Sequence, residues 1–421
     1  MFGNRHSDGG RNNGWEKLLV IISAVHKSDH CRKMSQKQII LTLLFSCIAV
    51  SVFADDWTLY RGDANATGRV SSNAKVTGKL KIVWEHRLEK GFFEAAPIVV
   101  GHSIFIGSNQ EGMGAFDLLT GKPIWTYQRL AAQSVSQSVT QSATQSVTQS
   151  PIDIAASAAY FEGLLFVGDT RGTLHAFQAD GTPRWTFNTK GTIDNSPNID
   201  VQKKHVIIGS QKGILYALKA DSGEKVWEYE TDDQIRCFPS IVGRRCFVAG
   251  CDSQLHVVDL DTGKGIRQIP LDAPTGSTPL LVGDFAYVGT EGKEFLAVDW
   301  KREKVVWRFP MNQAVRAPAA YREGVIIFGG MDKTVYALDA ATGDERWKFN
   351  TRGRIEGGAV IVGDRVYVPS MDSSLYVLDF QSGRRIDSIE LTGKLSTSPA
   401  VVPNRIVIAT DEGVLTCLQG E

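Results

Sequence analysis

No charge of either sign dominates this chain. Its 421 residues carry 46 lysines and arginines and 46 aspartates and glutamates, for a formal net charge of zero. Nucleic acid and anionic membrane both call for a basic surface, so neither is expected as a partner. Cysteine is scarce, with 6 in all, and no two are adjacent. There is no haem-attachment motif, no His/Cys/Asp spacing for zinc, no glycine-rich phosphate loop and no Ser-His-Asp set. No stretch holds a helical period. The one marked apolar run, Ile39 to Phe53, is short of the roughly 20 residues a membrane span needs.

That run has another use. Lys37, the apolar stretch, then Ala54 before Asp55-Asp56 make the n-region, h-region and cleavage site of a signal peptide over 34–54, with Val52 and Ala54 at −3 and −1. Residues 1–33 are polar and patternless, so Met34 is the expected start, with 1–33 a mis-called or disordered extension. A second reading stays open, in which Leu44-Phe45-Ser46-Cys47 is a lipoprotein site and Cys47 carries lipid. Either way the chain is expected to be exported, periplasmic or secreted, and in the second case tied to the outer membrane.

What the chain has in quantity is glycine, 41 residues, and tryptophan, 9 residues. The tryptophans recur. Trp84, Trp125, Trp185, Trp227, Trp307 and Trp347 occupy equivalent points of a unit of about 40 residues, with Arg267 and Asp387 in the two slots that lack one. Residues 314–351 show the unit: four short runs of β-branched and aromatic residues separated by glycine-containing turns. Asp117, Asp259, Asp299, Asp339 and Asp379 end the third run, where a carboxylate can hold turn N–H groups. Gly121, Gly223, Gly263, Gly343 and Gly383 supply a left-handed turn, and the tryptophan that follows is expected to wedge between blades.

Four antiparallel strands per unit describe a blade. Residues 55–421 are therefore expected to form one all-β, eight-bladed β-propeller. The last segment, Leu395 to Leu418, supplies three strands, and Leu80 to Leu88 supplies the fourth, closing the ring and removing its open edge. Between blades lies Gln133 to Ser150, a tandem of polar four-residue repeats that cannot bury a core and is expected to be disordered.

The residues three before each first-strand proline or its equivalent should converge at one mouth of the central channel. They are Glu94, Asp153, Asp194, Arg236, Gly276, Val315 beside Arg316, Glu356 and Ser396. Glu94, Asp153, Asp194, Arg236, Arg316 and Glu356 form a candidate binding rim of mixed charge. His175 and His256 fall in the slot that holds Tyr216, Tyr336 and Tyr376, and so read as packing aromatics and not metal ligands. Cys237 and Cys251 lie at the same end of one hairpin and are a candidate disulfide. The alternative, four reduced thiols including Cys246 and Cys417, stays open.

The run Ala115-Phe116-Asp117-Leu118-Leu119-Thr120-Gly121-Lys122-Pro123-Ile124-Trp125 resembles the tryptophan-docking repeat of quinoprotein propellers, as does Ala337 to Trp347. The opening Asp56-Trp57-Thr58-Leu59-Tyr60-Arg61-Gly62 resembles the leading segment of exported proteins with these repeats. The resemblance covers nearly all of 56–421 and implies one of two roles. The quinone-dependent alcohol dehydrogenases hold cofactor, calcium and a catalytic Asp in the channel, in many cases under a disulfide of adjacent cysteines. The BamB-type outer-membrane assembly factors are compact propellers that bind protein partners without cofactor. The missing cysteine pair and the bare blades favour a monomeric, non-catalytic interaction scaffold without quinone; a quinone- or small-ligand-handling propeller remains the alternative.

Deleting Gln133 to Ser150 is expected to be nearly neutral, because loop-closure entropy changes only by about 0.6 kcal/mol per doubling of length. Thermal unfolding of the deletion variant checks this; a loss of several kcal/mol would mean that the tract packs.

Overall fold

The computed structural model describes residues 56–70, 76–127 and 152–421. The signal peptide, Cys47, the start at Met34 and the Gln133 to Ser150 tract lie outside them. The described residues form no helix and fold into eight four-stranded antiparallel sheets. The fold is the expected eight-bladed propeller. The eight innermost strands are Ile98–Val100, Ala159–Phe161, Asn198–Asp200, Ser240–Val242, Leu280–Val282, Ala320–Arg322, Val360–Val362 and Ala400–Val402. They number blades one to eight here. The last blade takes its outermost strand from the other end of the chain: Leu80–Arg87 pairs with Val414–Gly420, with Leu80 opposite Gly420 and Arg87 opposite Val414.

The turn chemistry explains why the third strand stops where it does. Asp117 Oδ1 accepts the Thr120 N–H at 2.8 Å, and Asp259, Asp339 and Asp379 accept the N–H of Thr262, Thr342 and Ser382 in the same way. The glycine that follows has a positive φ, 72° at Gly223 and 70° at Gly263. Positive φ is only half the reason for glycine. A Cβ on Gly223 would lie 2.5 Å from the Trp185 ring, and one on Gly383 would lie 2.5 Å from Trp347. The indole of one blade rests flat on the bare turn of the next. Its Nε1 then donates to a carbonyl there: Trp84 to Leu118, Trp125 to Ala179, Trp185 to Ala220, Trp227 to Leu260, Trp307 to Ala340 and Trp347 to Phe380, all at 2.9–3.1 Å.

The two slots without tryptophan are filled differently. At Arg267 the glycine of the next turn is replaced too, by Glu303 at φ 56°, and the two side chains pair as ions. An exposed pair contributes little, so the apolar cover comes from elsewhere. In other blades the second-strand aromatic packs on its own blade's indole, as Phe166 does on Trp185 at 5.7 Å. Phe247, in the blade of Arg267, instead meets Trp300 from the following blade, edge to face at 5.3 Å. At Asp387 the next strand is Leu80–Arg87 itself, and the carboxylate accepts the Leu80 N–H at 2.8 Å. That bond fastens the closing strand to blade seven.

The aromatic slot of His175 and His256 has a polar partner that the residue pattern did not reveal. Tyr336 and Tyr376 donate their hydroxyls to Asp332 and Asp372 at 2.8 and 2.9 Å. His256 and His175 reach Asp252 and Asp169 in the same manner, each at 2.7 Å. Burial alone would raise the Asp252 and Asp169 carboxyls, but the histidine hydrogen bond and charge, with backbone N–H groups, hold both below the usual range.

The disulfide expectation needs correction. Cys237 and Cys251 are free thiols, as are Cys246 and Cys417. The ladder runs Ser240 opposite Phe247, but past it the register shifts, and the next pair is Ile235 with Gly250. The Cys251 N–H therefore bonds to Gln234 O, three residues from Cys237. Cys237 is fully buried, its Sγ accepts the Ala249 N–H at 3.2 Å, and burial pushes its thiol up to about 12.

Two outcomes follow from this packing. Gly223→Ala is expected to destabilise the ring by about 1–3 kcal/mol through backbone strain and collision with Trp185, measured by denaturant unfolding; Trp185→Ala in the same chain should remove the collision part. Asp252→Asn should cost about 1–3 kcal/mol near neutrality by weakening a buried charged hydrogen bond. Because the folded carboxyl titrates below its unfolded value of about 3.9, that contribution is present above it and lost as the pH falls through the folded pKa. The gap between wild type and variant should therefore close in strong acid.

Candidate functional site

The innermost strand of each blade has one edge with no strand partner, and the ring turns all eight of these edges toward the axis. Left open, they would present unpaired N–H groups. The leading segment covers them. Trp57 exchanges both backbone bonds with Val99 at 2.8 and 2.9 Å. Its successors then accept N–H groups around the ring: Thr58 from Tyr160, Ala64 from Ile241, Asn65 from Leu281, Thr67 from Tyr321 and Gly68 from Ile361, at 2.7–3.1 Å. Blade three joins through its side chain, Asn198 Nδ2 donating to Ala64 O at 2.9 Å. Residues 57–68 thus bond to seven of the eight inner strands and stop one end of the channel.

Arg61 lies at the centre of this plug and is fully buried. Its Nη2 donates to Ala359 O at 2.6 Å and Ala319 O at 3.1 Å, while Nε and Nη1 have no partner. Burial lowers its pKa to about 10, against the attraction of Tyr60 and Asp63. Only glycine fits around it: a Cβ on Gly358 would sit 2.4 Å from Nη1, and one on Gly68 closer still to Nη2.

Above the plug the channel forms a blind cavity of ≈ 150 Å³ with Tyr60 among its lining residues. A belt of hydroxyls ties the blades together there. Ser157 accepts the Ala96 N–H, Ser196 that of Ser157, Thr278 that of Phe238 and Ser398 that of Gly358, at 2.9–3.3 Å. Each oxygen is used as an acceptor in these bonds.

The rim brings together Glu94, Asp194, Arg236, Gly276, Arg316, Glu356 and Ser396. In blade six Arg316 faces the cavity, with Val315 buried beside it. One position differs from the sequence reading. In blade two the rim position belongs to Ala155. Asp153 is two residues upstream: its carbonyl accepts the Thr170 N–H, as those of Thr192 and Pro274 accept Gln211 and Glu291 in later blades. The long insertion before blade two hides that register. Arg316 is bound to Glu291 at 2.7 and 3.1 Å, Arg354 to Glu356 at 2.7 Å, and Arg236 to Gln234 at 2.9 Å. Burial raises the Glu94 carboxyl, and Asp153 and Asp194 push it further. Burial also raises Asp153 and Asp194, with Thr170 and Gln211 hydrogen bonds opposing it.

The chain matches known proteins along its whole ring. At 26% identity over 199 residues it resembles the dehydrogenase subunit of quinone alcohol dehydrogenase from Gluconobacter oxydans (strain 621H), covering 42% of this chain and 25% of that protein. At 28% over 170 residues it resembles quinohemoprotein alcohol dehydrogenase from Comamonas testosteroni, covering 37% and 22%. These matches span about a quarter of the length of those relatives. Among solved structures, BamB from Moraxella catarrhalis superposes with a TM-score of 0.65 at 20% identity, over 81% of this chain and 98% of that one. The Comamonas testosteroni dehydrogenase superposes at 0.69 and 15% identity, over 90% and 82%. The family model described as outer membrane protein assembly factor BamB matches residues 48–157, 144–286 and 275–419, and the chain belongs to that family.

Proposed function

We propose that this chain is an exported, non-catalytic propeller that acts as a protein-interaction scaffold in the assembly of outer-membrane proteins. The family match over nearly the whole ring carries the reading. Its description names such assembly, and the described residues amount to the blades, their turns and the plug, with little added. A zero net charge agrees with a protein partner better than with nucleic acid.

The likeness to the alcohol dehydrogenases raises quinone chemistry as a second reading. The channel residues do not fit that group. A cavity of ≈ 150 Å³ is smaller than the roughly 300–1,000 Å³ of sites for drug-sized ligands. Residues 57–68 take up the axis beneath it through backbone bonds, so enlarging it would mean unpairing the inner strands. Among the described residues no group of three or more His, Cys, Asp or Glu side chains is arranged to hold a metal ion.

Removal of the protein from its host is expected to lower the folded fraction of outer-membrane β-barrels, read by heat-modifiable gel mobility, and re-supply should restore it. Unchanged barrel folding, together with alcohol-dependent dye reduction by the purified protein given quinone and calcium, would overturn the scaffold reading in favour of the enzyme.

A further inference from the structure

On the wall that blades one to three give to the cavity, blade three holds two acceptors that nothing in the chain satisfies. Asn195 lines the cavity and is only 3% exposed. Its Nδ2 donates to Ile235 O at 3.0 Å and Gly209 O at 3.2 Å. Both amide hydrogens are spent, so the orientation of the amide is fixed and the unsatisfied atom is the oxygen. Oδ1 has no partner. Asp194, also in the lining, accepts from Gln211 Nε2 at 2.6 Å through Oδ2 and leaves Oδ1 unpaired. A buried polar atom left without a partner destabilises the fold, and folded proteins hold few of them. Two from adjacent residues on one wall point to a missing donor.

The charges on this wall say what kind of donor. The groups acting on Glu94 are Asp153 and Asp194, both repulsive. Of these Asp194 lines the cavity with Glu94, and Arg236 acts on it, which leaves two carboxyls of this wall facing one guanidinium group. The other rim cation, Arg316, is committed to Glu291. A metal ion is the poorer candidate, since no group of three or more His, Cys, Asp or Glu side chains among the described residues is placed to ligate one. A primary ammonium brings one positive charge and three N–H donors. That matches Asn195 Oδ1, the free Asp194 oxygen and the Glu94 carboxylate in number and kind.

We propose that the channel binds a small alkylammonium ligand, its ammonium group seated against Glu94, Asp194 and Asn195. The small volume limits the ligand to a short aliphatic amine, and the plug beneath makes the rim its way in. This goes beyond the scaffold reading and does not depend on it: calorimetry reports the amine and gel mobility reports barrel folding, so either can fail alone.

The test is titration calorimetry of the exported chain with 1,4-diaminobutane as probe, beside the neutral 1,4-butanediol and calcium chloride. The diamine should bind one to one, and the diol should not. Glu94→Gln, whose parent side chain faces the channel and is exposed, should weaken binding about tenfold by removing one charge-assisted contact. Asp194→Asn should weaken it at least as much. Melting curves without ligand show that both variants fold. No heat with millimolar diamine, equal binding of the diol, full competition by equimolar calcium, or unchanged binding in both folded variants would each overturn the proposal.

Discussion

A four-stranded blade cannot bury both of its faces alone, and everything in this ring depends on how one blade is set against the next. The contact that sets it is an indole laid on a bare glycine turn. Trp185 on Gly223 and Trp347 on Gly383 leave no room for a methyl group, and each indole N–H fixes the rotation by finding a carbonyl in the neighbouring blade. Apolar burial gives such a contact its strength and the hydrogen bond gives it a direction. Repeated around the ring, a directed contact between neighbours fixes how many blades close it. Closure then turns every inner strand edge toward one axis, and those edges create the need that the leading segment meets.

Much of this was legible in the sequence because the period of about 40 residues is a packing period. The tryptophan slots, the turn aspartates and the use of Leu80–Arg87 as the closing strand could all be read from spacing. The compensated slots could not be read in full. Arg267 with Glu303 is an ion pair between residues that each break the pattern, and the covering ring, Trp300, comes from a position where no other blade has a tryptophan. A repeat shows where a residue is missing; it does not show which neighbour replaces it.

The site divides the same way. The rim was legible wherever blades follow at unbroken intervals, as Arg236, Arg316 and Glu356 show. It failed at Asp153, where the insertion removes the ruler and Ala155 holds the place. It failed at Cys237 and Cys251 for a related reason: antiparallel pairing was carried past the end of the ladder, where the register shifts. The plug's role left no periodic signal, although its opening residues carry a family resemblance. Residues 57–68 have neither a two-residue nor a helical period, because their carbonyls serve a circle of different strands and not one sheet.

The plug also decides what the channel can be. Were the axis open, the inner edges would need water or a ligand, and a large flat cofactor could in principle lie across them. With the leading segment bound to seven blades, the backbone requirement is met by the chain itself. Arg61 holds the segment from within, its guanidinium wedged where Gly68 and Gly358 permit it and bonded to the Ala319 and Ala359 carbonyls. Its own charge has no carboxylate bonded to it, so the segment carries a buried cost of its own. Such a segment persists only if the surrounding bonds outweigh that cost, and the circle of backbone hydrogen bonds supplies them. The axis is therefore committed to stability beneath the floor, and only the rim and the shallow cavity above it are free to recognise anything. This is why the unpaired acceptors that blade three turns to the cavity carry meaning: they lie on the one part of the axis that the fold does not already use.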